Sequence, residues 1–487
     1  MNDDKSVIVG QGDLGIVKLT AFSVGTTLAS GIFSISGDMA ANGANSLAVL
    51  IGWLIAGFGM FGLVMCYFGL NRVRPDLTSG IYSYAREGFG DYLGFSSAWG
   101  YWLGCVLSNV SFASLLFSAL GYFFPIFGEG NNLASVVAAS ILIWICAMLV
   151  MRGVKEATTL NVIIVIAKIV PIMVMLVAII FVGAFDIDIF MHNFAGESGG
   201  LSLVNQIKAT TPTTMWCFVG VESVVVISRR SKKSKDAGTA TVTSFLSLLA
   251  IYILISVLSM GVMTREELAA LGNPPMAGVM EYVLGSWGAI LVNAAVIISL
   301  LGAIFTYTIF SAESAYQPAV EKCFPKFFAE VNKRNAPQTS LIISNLIVQF
   351  FLIVLLINES TYQIFYTFAS SFMLIPYLLS ALFYVKVLFK NEDNLLSGFS
   401  NKNIVLQKFF AILGTIYALW LLYSLGFEYI IIAPMLYAPG TILYIMSKRE
   451  QGEKPFTNSI DIAFLIVIIA TAVLSAILIA NGTIAPF

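Results

Sequence analysis

Residues 25–33 read Gly25-Thr26-Thr27-Leu28-Ala29-Ser30-Gly31-Ile32-Phe33, and residues 216–223 read Trp216-Cys217-Phe218-Val219-Gly220-Val221-Glu222-Ser223. Each lies inside an apolar stretch long enough to cross a bilayer, and each contains what such a stretch ordinarily avoids. The first puts two glycines, two threonines and a serine into seven positions, which weakens a helix and frees backbone groups. Thr26 and Ser30, four apart, also suit close helix packing, so this segment alone leaves packing and ligand binding both open. The second carries Glu222, a carboxylate costing about 2.5–3.5 kcal/mol at mid-span, so it must face a partner helix or a cavity. The run Thr210-Thr211-Pro212-Thr213-Thr214 upstream loosens that helix further.

Outward from these segments the chain is uniformly apolar. Of 487 residues 58% are hydrophobic and 11% charged, far from the roughly 25% charged of a soluble domain. Thirteen apolar stretches run from 15–38 to 459–480, among them 92–124, 157–184, 203–228 and 278–312. They are continuous and too long for membrane strands of about ten residues, so an all-α integral membrane protein of about thirteen helices is expected. Of the 26 Lys and Arg, all but Lys168, Lys208 and Arg265 fall at the N-terminus or in and beside the loops after even-numbered spans. The positive-inside rule then predicts a multi-pass protein of the cytoplasmic membrane, N-terminus inside and C-terminus outside. The first fourteen residues lack a signal-peptide layout, so the first helix is expected to be its own insertion signal.

The two interrupted stretches are the first and sixth. An offset of five, being odd, turns two five-helix halves over relative to each other, as in transporters built from inverted repeats. The predicted organisation is a ten-helix core, residues 1–390, with repeats at 15–184 and 203–390 and discontinuous helices 1 and 6; residues 391–487 add three helices. Such folds hold the solute at the midplane between the exposed helix ends, so a substrate carboxylate is expected on freed amides near Ser30 and Gly31. Lys168, deep in span 5, needs acceptors, and the carbonyls of a broken helix are natural ones.

Other function classes fare worse. A net charge of −1 offers nothing to nucleic acid. Five scattered cysteines and one histidine build no disulfide framework, metal cluster or hydrolytic site, so no cofactor is expected and no enzyme. Gly57-Phe58-Gly59-Met60-Phe61-Gly62 spells G-x-G-x-x-G, yet it sits within a span with no preceding strand; helix packing is the reading. A channel would need a ring of like charges or carbonyls along a continuous pore, whereas one mid-span Glu and one mid-span Lys suit an occluded site.

At these residues the chain resembles the amino acid–polyamine–organocation superfamily, in particular its basic amino acid/polyamine antiporters, over roughly spans 1–10. Gly25–Phe33 is similar to the G-x-x-x-G-S-G-[IV]-F signature, with Ala29 where glycine is frequent; the resemblance assigns substrate carboxylate and amino groups to Thr27, Ser30 and Gly31. Tyr101-Trp102-Leu103-Gly104-Cys105 with Asn109 resembles the span 3 pattern whose tyrosine, cysteine and asparagine line the pocket. Trp216–Ser223 resembles W-x-F-[IV]-G-[VI]-E-[SG], implying a stacking Trp216, a substrate contact at Val219 and a pH-responsive Glu222. Lys168 matches lysines that brace span 1 in place of sodium. Tyr307 stands where arginine/agmatine antiporters have a second tryptophan and Ala369 where they have serine, while Pro376-Tyr377 fits, marking Tyr377 as a gate. The basic run Arg229–Lys235 and the thirteenth span resemble the arginine/ornithine branch.

The expected activity is therefore exchange of a basic amino acid such as arginine for a product such as ornithine. Histidine/histamine or another precursor/amine pair, and proton-coupled uptake, stay open. Expected partners are small amino acids or amines and membrane lipid, with a second copy of the chain kept as a candidate and nucleic acid excluded.

Overall fold

The computed structural model describes residues 15–74, 76–77, 81–153, 158–192, 194–196, 200–221, 234–358, 361–390 and 401–484. In chain order its α-helices are α1 (Ile16–Thr27), α2 (Ile35–Ala41), α3 (Ser46–Val73), α4 (Ile81–Phe89), α5 (Asp91–Gly121), α6 (Leu133–Met151), α7 (Thr158–Val182), α8 (Ile187–His192), α9 (Leu203–Ala209) and α10 (Thr211–Phe218). They continue as α11 (Ser234–Val262), α12 (Arg265–Ala269), α13 (Pro275–Leu284), α14 (Ser286–Val320), α15 (Gln338–Ile357), α16 (Tyr362–Lys390), α17 (Asn401–Ser424), α18 (Phe427–Glu450) and α19 (Ser459–Ala480).

Lipid offers backbone groups no hydrogen-bond partner, so apolar runs of this length satisfy themselves as helices. Among the described residues ten are long and apolar enough to cross a membrane: α3, α5, α6, α11 and α14 to α19. The three other stretches anticipated from the sequence are α1 with α2, α7, and α9 with α10, residues 222–228 of the last lying outside those described. The stretch 278–312, anticipated as one span, is two helices. Gly285, at φ 70, caps the end of α13 and the start of α14 in a non-helical conformation. At 35 residues α14 is roughly 50 Å long, so it overshoots a bilayer core of about 30 Å and runs on past 312.

The helices sort by depth. The apolar window of α5 is 94% buried and that of α19 only 11%, which makes α5 the central post and α19 an outer, lipid-facing helix. α5 packs along both α14 and α16, the pair that brings the aromatic residues of the site together. The Gly57–Gly62 motif serves packing: a Cβ at Gly59 would lie 2.1 Å from the Tyr417 ring, and one at Gly62 2.7 Å from the Gly414 backbone nitrogen. Only residues without side chains let α3 and α17 approach so closely.

Polar clamps sit at the helix ends. Arg74 binds Asp76 at 2.7 Å and Glu87 at 3.1 Å, and its guanidinium holds the Asp76 carboxyl below the usual carboxylate range. Asp91 accepts from Arg86 at 2.7 Å and from Lys448 at 2.5 Å, which joins α4 and α5 to α18. At the opposite end of the bundle Gln206 accepts from the Asn45 backbone at 3.1 Å and donates to the Gly196 carbonyl at 2.7 Å, seating the loop before α9 on the start of α3.

Candidate substrate site at two helix breaks

The first break is built by α1 stopping at Thr27. Within an α-helix the Gly25 carbonyl would accept from the Ala29 amide, but that amide turns to the Thr27 carbonyl at 2.8 Å. The Lys168 ammonium of α7 donates to the Gly25 carbonyl instead, at 2.9 Å. A buried ammonium and a freed carbonyl thus answer each other's need for a partner. The chain resumes with a single 3₁₀ turn, Gly31–Phe33, and then α2.

The second break follows Phe218. Val219 takes an extended ψ of 128°, and Gly220, at φ 99, occupies a region that favours glycine. The Cys217 carbonyl at this helix end accepts the Tyr252 hydroxyl of α11 at 2.8 Å.

The two breaks touch. A Cβ on Gly31 would lie 3.0 Å from the Cys217 sulfur and 3.1 Å from Trp216 Cδ1, so glycine at 31 is what lets α10 close on span 1. Trp216 Nε1 donates to Ser30 Oγ at 2.8 Å, and the Tyr362 hydroxyl donates to the same oxygen at 3.3 Å. The Trp216 ring stacks on Tyr366 with centroids 5.5 Å apart and planes 20° off parallel. Phe112 of α5 leans on Trp216 at 5.5 Å and meets Tyr307 edge-on at 4.9 Å.

Thr27, Ser30, Gly31, Trp216 and Val219 therefore share one locus, with Lys168 one hydrogen bond away and Tyr307 joined through Phe112. Asn109, Cys105 and Tyr101 descend α5 from Phe112 at rises of roughly 5, 10 and 16 Å, so Tyr101 is the most distant of the anticipated pocket residues. Tyr377 lies roughly 16 Å along α16 from Tyr366, where it packs edge-on against Tyr67 at 6.0 Å; it is not part of the same cluster. Glu222 and the basic run from Arg229 to Lys233 lie outside the described residues.

Sequence reasoning passed over Phe112, Tyr362, Tyr366, Gln363 and Asp38. Asp38, on α2, is 2% exposed, and its Oδ1 accepts from Gln363 Nε2 at 2.9 Å. Gln363 Nε2 also reaches Asn273 Oδ1 at 3.1 Å, and the Asn273 carbonyl accepts from Ser118 of α5 at 2.8 Å. Around the breaks Thr27 Oγ1, Ser34 Oγ, Ser36 Oγ, Asn109 Oδ1 and Asp38 Oδ2 are buried without a hydrogen-bond partner among the described residues. Of these Asn109 and Asp38 offer amide and carboxylate oxygens, the stronger acceptors for a cationic group. Among the described residues no group of His, Cys, Asp or Glu could hold a metal ion. The locus offers hydroxyls, loosened backbone, aromatic faces and one carboxylate, a set that suits a small zwitterion or organic cation.

Comparison with known proteins agrees with this chemistry. A family model described as amino acid permease matches residues 14–447. The arginine/ornithine antiporter of Pseudomonas aeruginosa is 41% identical over 465 residues, 93% of this chain and 95% of that protein. The L-lysine transport protein of Corynebacterium glutamicum is 34% identical over 485 residues, 96% of each chain. The arginine/agmatine antiporter of Chlamydia caviae is 35% identical over 477 residues, again 96% of each.

Proposed function

The chain belongs to the amino acid permease family, and we propose that it is an antiporter exchanging a cationic amino acid, arginine first, for a metabolic product, ornithine first. The observation that carries this reading is the junction of the two breaks, where Trp216 and Ser30 meet beneath stacked aromatic rings. Around it three relatives bear the names of carriers of arginine, ornithine, agmatine or lysine.

In this reading the substrate carboxylate lies on Ser30, Gly31 and Thr27, with its amino group on backbone carbonyls at the breaks, Val219 among them. Its cationic side chain lies against Trp216, with Tyr307, Asn109, Cys105 and Tyr101 lining the rest. A cation over a desolvated aromatic face is worth up to about 2 kcal/mol. Lys168 holds span 1 in its broken form, Glu222 links transport to protons, and Tyr377 gates one end of the path. The ten-helix core, residues 1–390, works as two inverted halves that rock around the fixed site, and 391–487 add three helices. The basic loops put the N-terminus in the cytoplasm and the C-terminus outside.

Counterflow in proteoliposomes tests the proposal. Vesicles loaded with unlabelled ornithine should accumulate labelled arginine, and empty vesicles should not. Equal uptake into both would replace exchange by uniport or symport, and inhibition by neutral amino acids alone would remove the cationic substrate.

A further inference from the structure

Asp38 stands apart from every role assigned above. Its carboxylate is buried near Tyr362 and Tyr366, the second of which turns its phenol towards it and stacks its ring on Trp216. One oxygen is engaged by Gln363; the other, Oδ2, has no hydrogen-bond partner among the described residues. No ion pair reaches Asp38 among the described residues, and the buried Lys168 donates to the Gly25 carbonyl. An asparagine would accept from Gln363 equally well without the desolvation cost that a carboxylate carries at this depth. The charge itself therefore needs a reason.

We propose that Asp38 is a specificity-determining residue, the anion that pairs with the positively charged end of the solute in the α2 half of the site. This rests on the antiporter reading and deepens it. Arginine and ornithine both carry a side-chain cation that neutral amino acids lack, and a decarboxylated amine keeps it, so a fixed anion recognises both directions of the exchange. It also excludes neutral isosteres, which cannot compensate the buried charge and leave it unpaired. The cationic group lies across the aromatic faces of Trp216 and Tyr366, and Asp38 supplies its countercharge from the edge. Gln363 holds the carboxylate in place, and through Asn273 ties it to the loop before α13.

The test compares arginine, agmatine and citrulline, the last replacing the guanidinium by a neutral urea of nearly the same shape. Inhibition constants for labelled arginine exchange are measured in vesicles of wild type, Asp38→Asn and Asp38→Glu. Asp38→Asn keeps the bond to Gln363 and should weaken arginine and agmatine by at least about tenfold while moving citrulline by about twofold or less. Asp38→Glu should retain a preference for arginine over citrulline. If Asp38→Asn weakens all three alike, or none, the carboxylate serves only as an acceptor for Gln363 and the proposal falls. Should Asp38→Asn fail to reach the membrane, Asp38→Glu decides: normal expression with arginine and citrulline bound equally overturns it. Failure of the antiporter reading looks different, since wild-type vesicles would then exchange no cationic solute, and the substrate assigned to Asp38 would go with it.

Discussion

Replacing Lys168 by methionine, close in length but uncharged, isolates the ammonium that spans 2.9 Å to the Gly25 carbonyl. Two effects oppose each other. A hydrogen bond from a charged donor is worth about 1.5–3 kcal/mol, and its loss leaves the carbonyl orphaned in a dry interior. Removing a buried ammonium returns several kcal/mol of desolvation, so global stability should change little. The geometry of the break has no such compensation, because among the described residues no backbone amide replaces the donor that Ala29 withholds. If the whole bond energy is felt in the transport barrier, exchange slows by roughly tenfold to 150-fold. The assay is the initial rate of arginine/ornithine exchange per reconstituted molecule, read beside the unfolding temperature in detergent. A slow exchanger melting within about 3 °C of wild type is expected. Lys168→Arg should recover little, since a planar fork does not fit where a compact ammonium sits. Wild-type turnover in Lys168→Met would show that the Lys168–Gly25 bond is incidental to transport.

Three further expectations follow from the same geometry. Trp216→Leu should weaken an amino acid and its amine alike by about tenfold, while Trp216→Phe, which keeps a face against Tyr366 but loses the Nε1 bond to Ser30, should do less harm; unmoved inhibition constants would reduce Trp216 to packing. Gly59→Val drives a side chain into the Tyr417 ring and should cost about 1–3 kcal/mol, seen as a fall in unfolding temperature, and a temperature equal to wild type would mean that α3 and α17 separate freely. Glu222→Gln should flatten the pH–rate profile of exchange at normal expression, because a mid-span carboxyl two residues past the Gly220 break is a natural proton acceptor; an unchanged profile removes it from that role.

The all-helical membrane character and the places where helices fail were legible because lipid punishes deviation so heavily. A Gly-Thr-Ser cluster or a mid-span lysine has few innocent explanations, and the structure places breaks at 28–34 and at Val219–Gly220. Asp38 was not legible for the opposite reason. It fell at the edge of the stretch 15–38, where an acid reads as the start of a loop, and only the continuation of α2 to Ala41 buries it. Tyr362 and Tyr366 share a helix face with spacing four, but in a chain with 13% aromatic residues that pattern is ordinary until Trp216 is seen stacked on one of them. The division of 278–312 hung on a single glycine whose positive φ no hydropathy average registers.

The glycine seam between α3 and α17 bears on how such a carrier could be shortened or grown. A border drawn at residue 390 would part α17 from α3 at the line where Gly59 and Gly62 receive Tyr417 and Gly414. Cut there, the remaining bundle would turn a strip of bare backbone, shaped for another helix, towards lipid chains that cannot fill it. α17 is thus a wall fitted to α3, and an insertion tolerated in the loop after it would not be tolerated in its register.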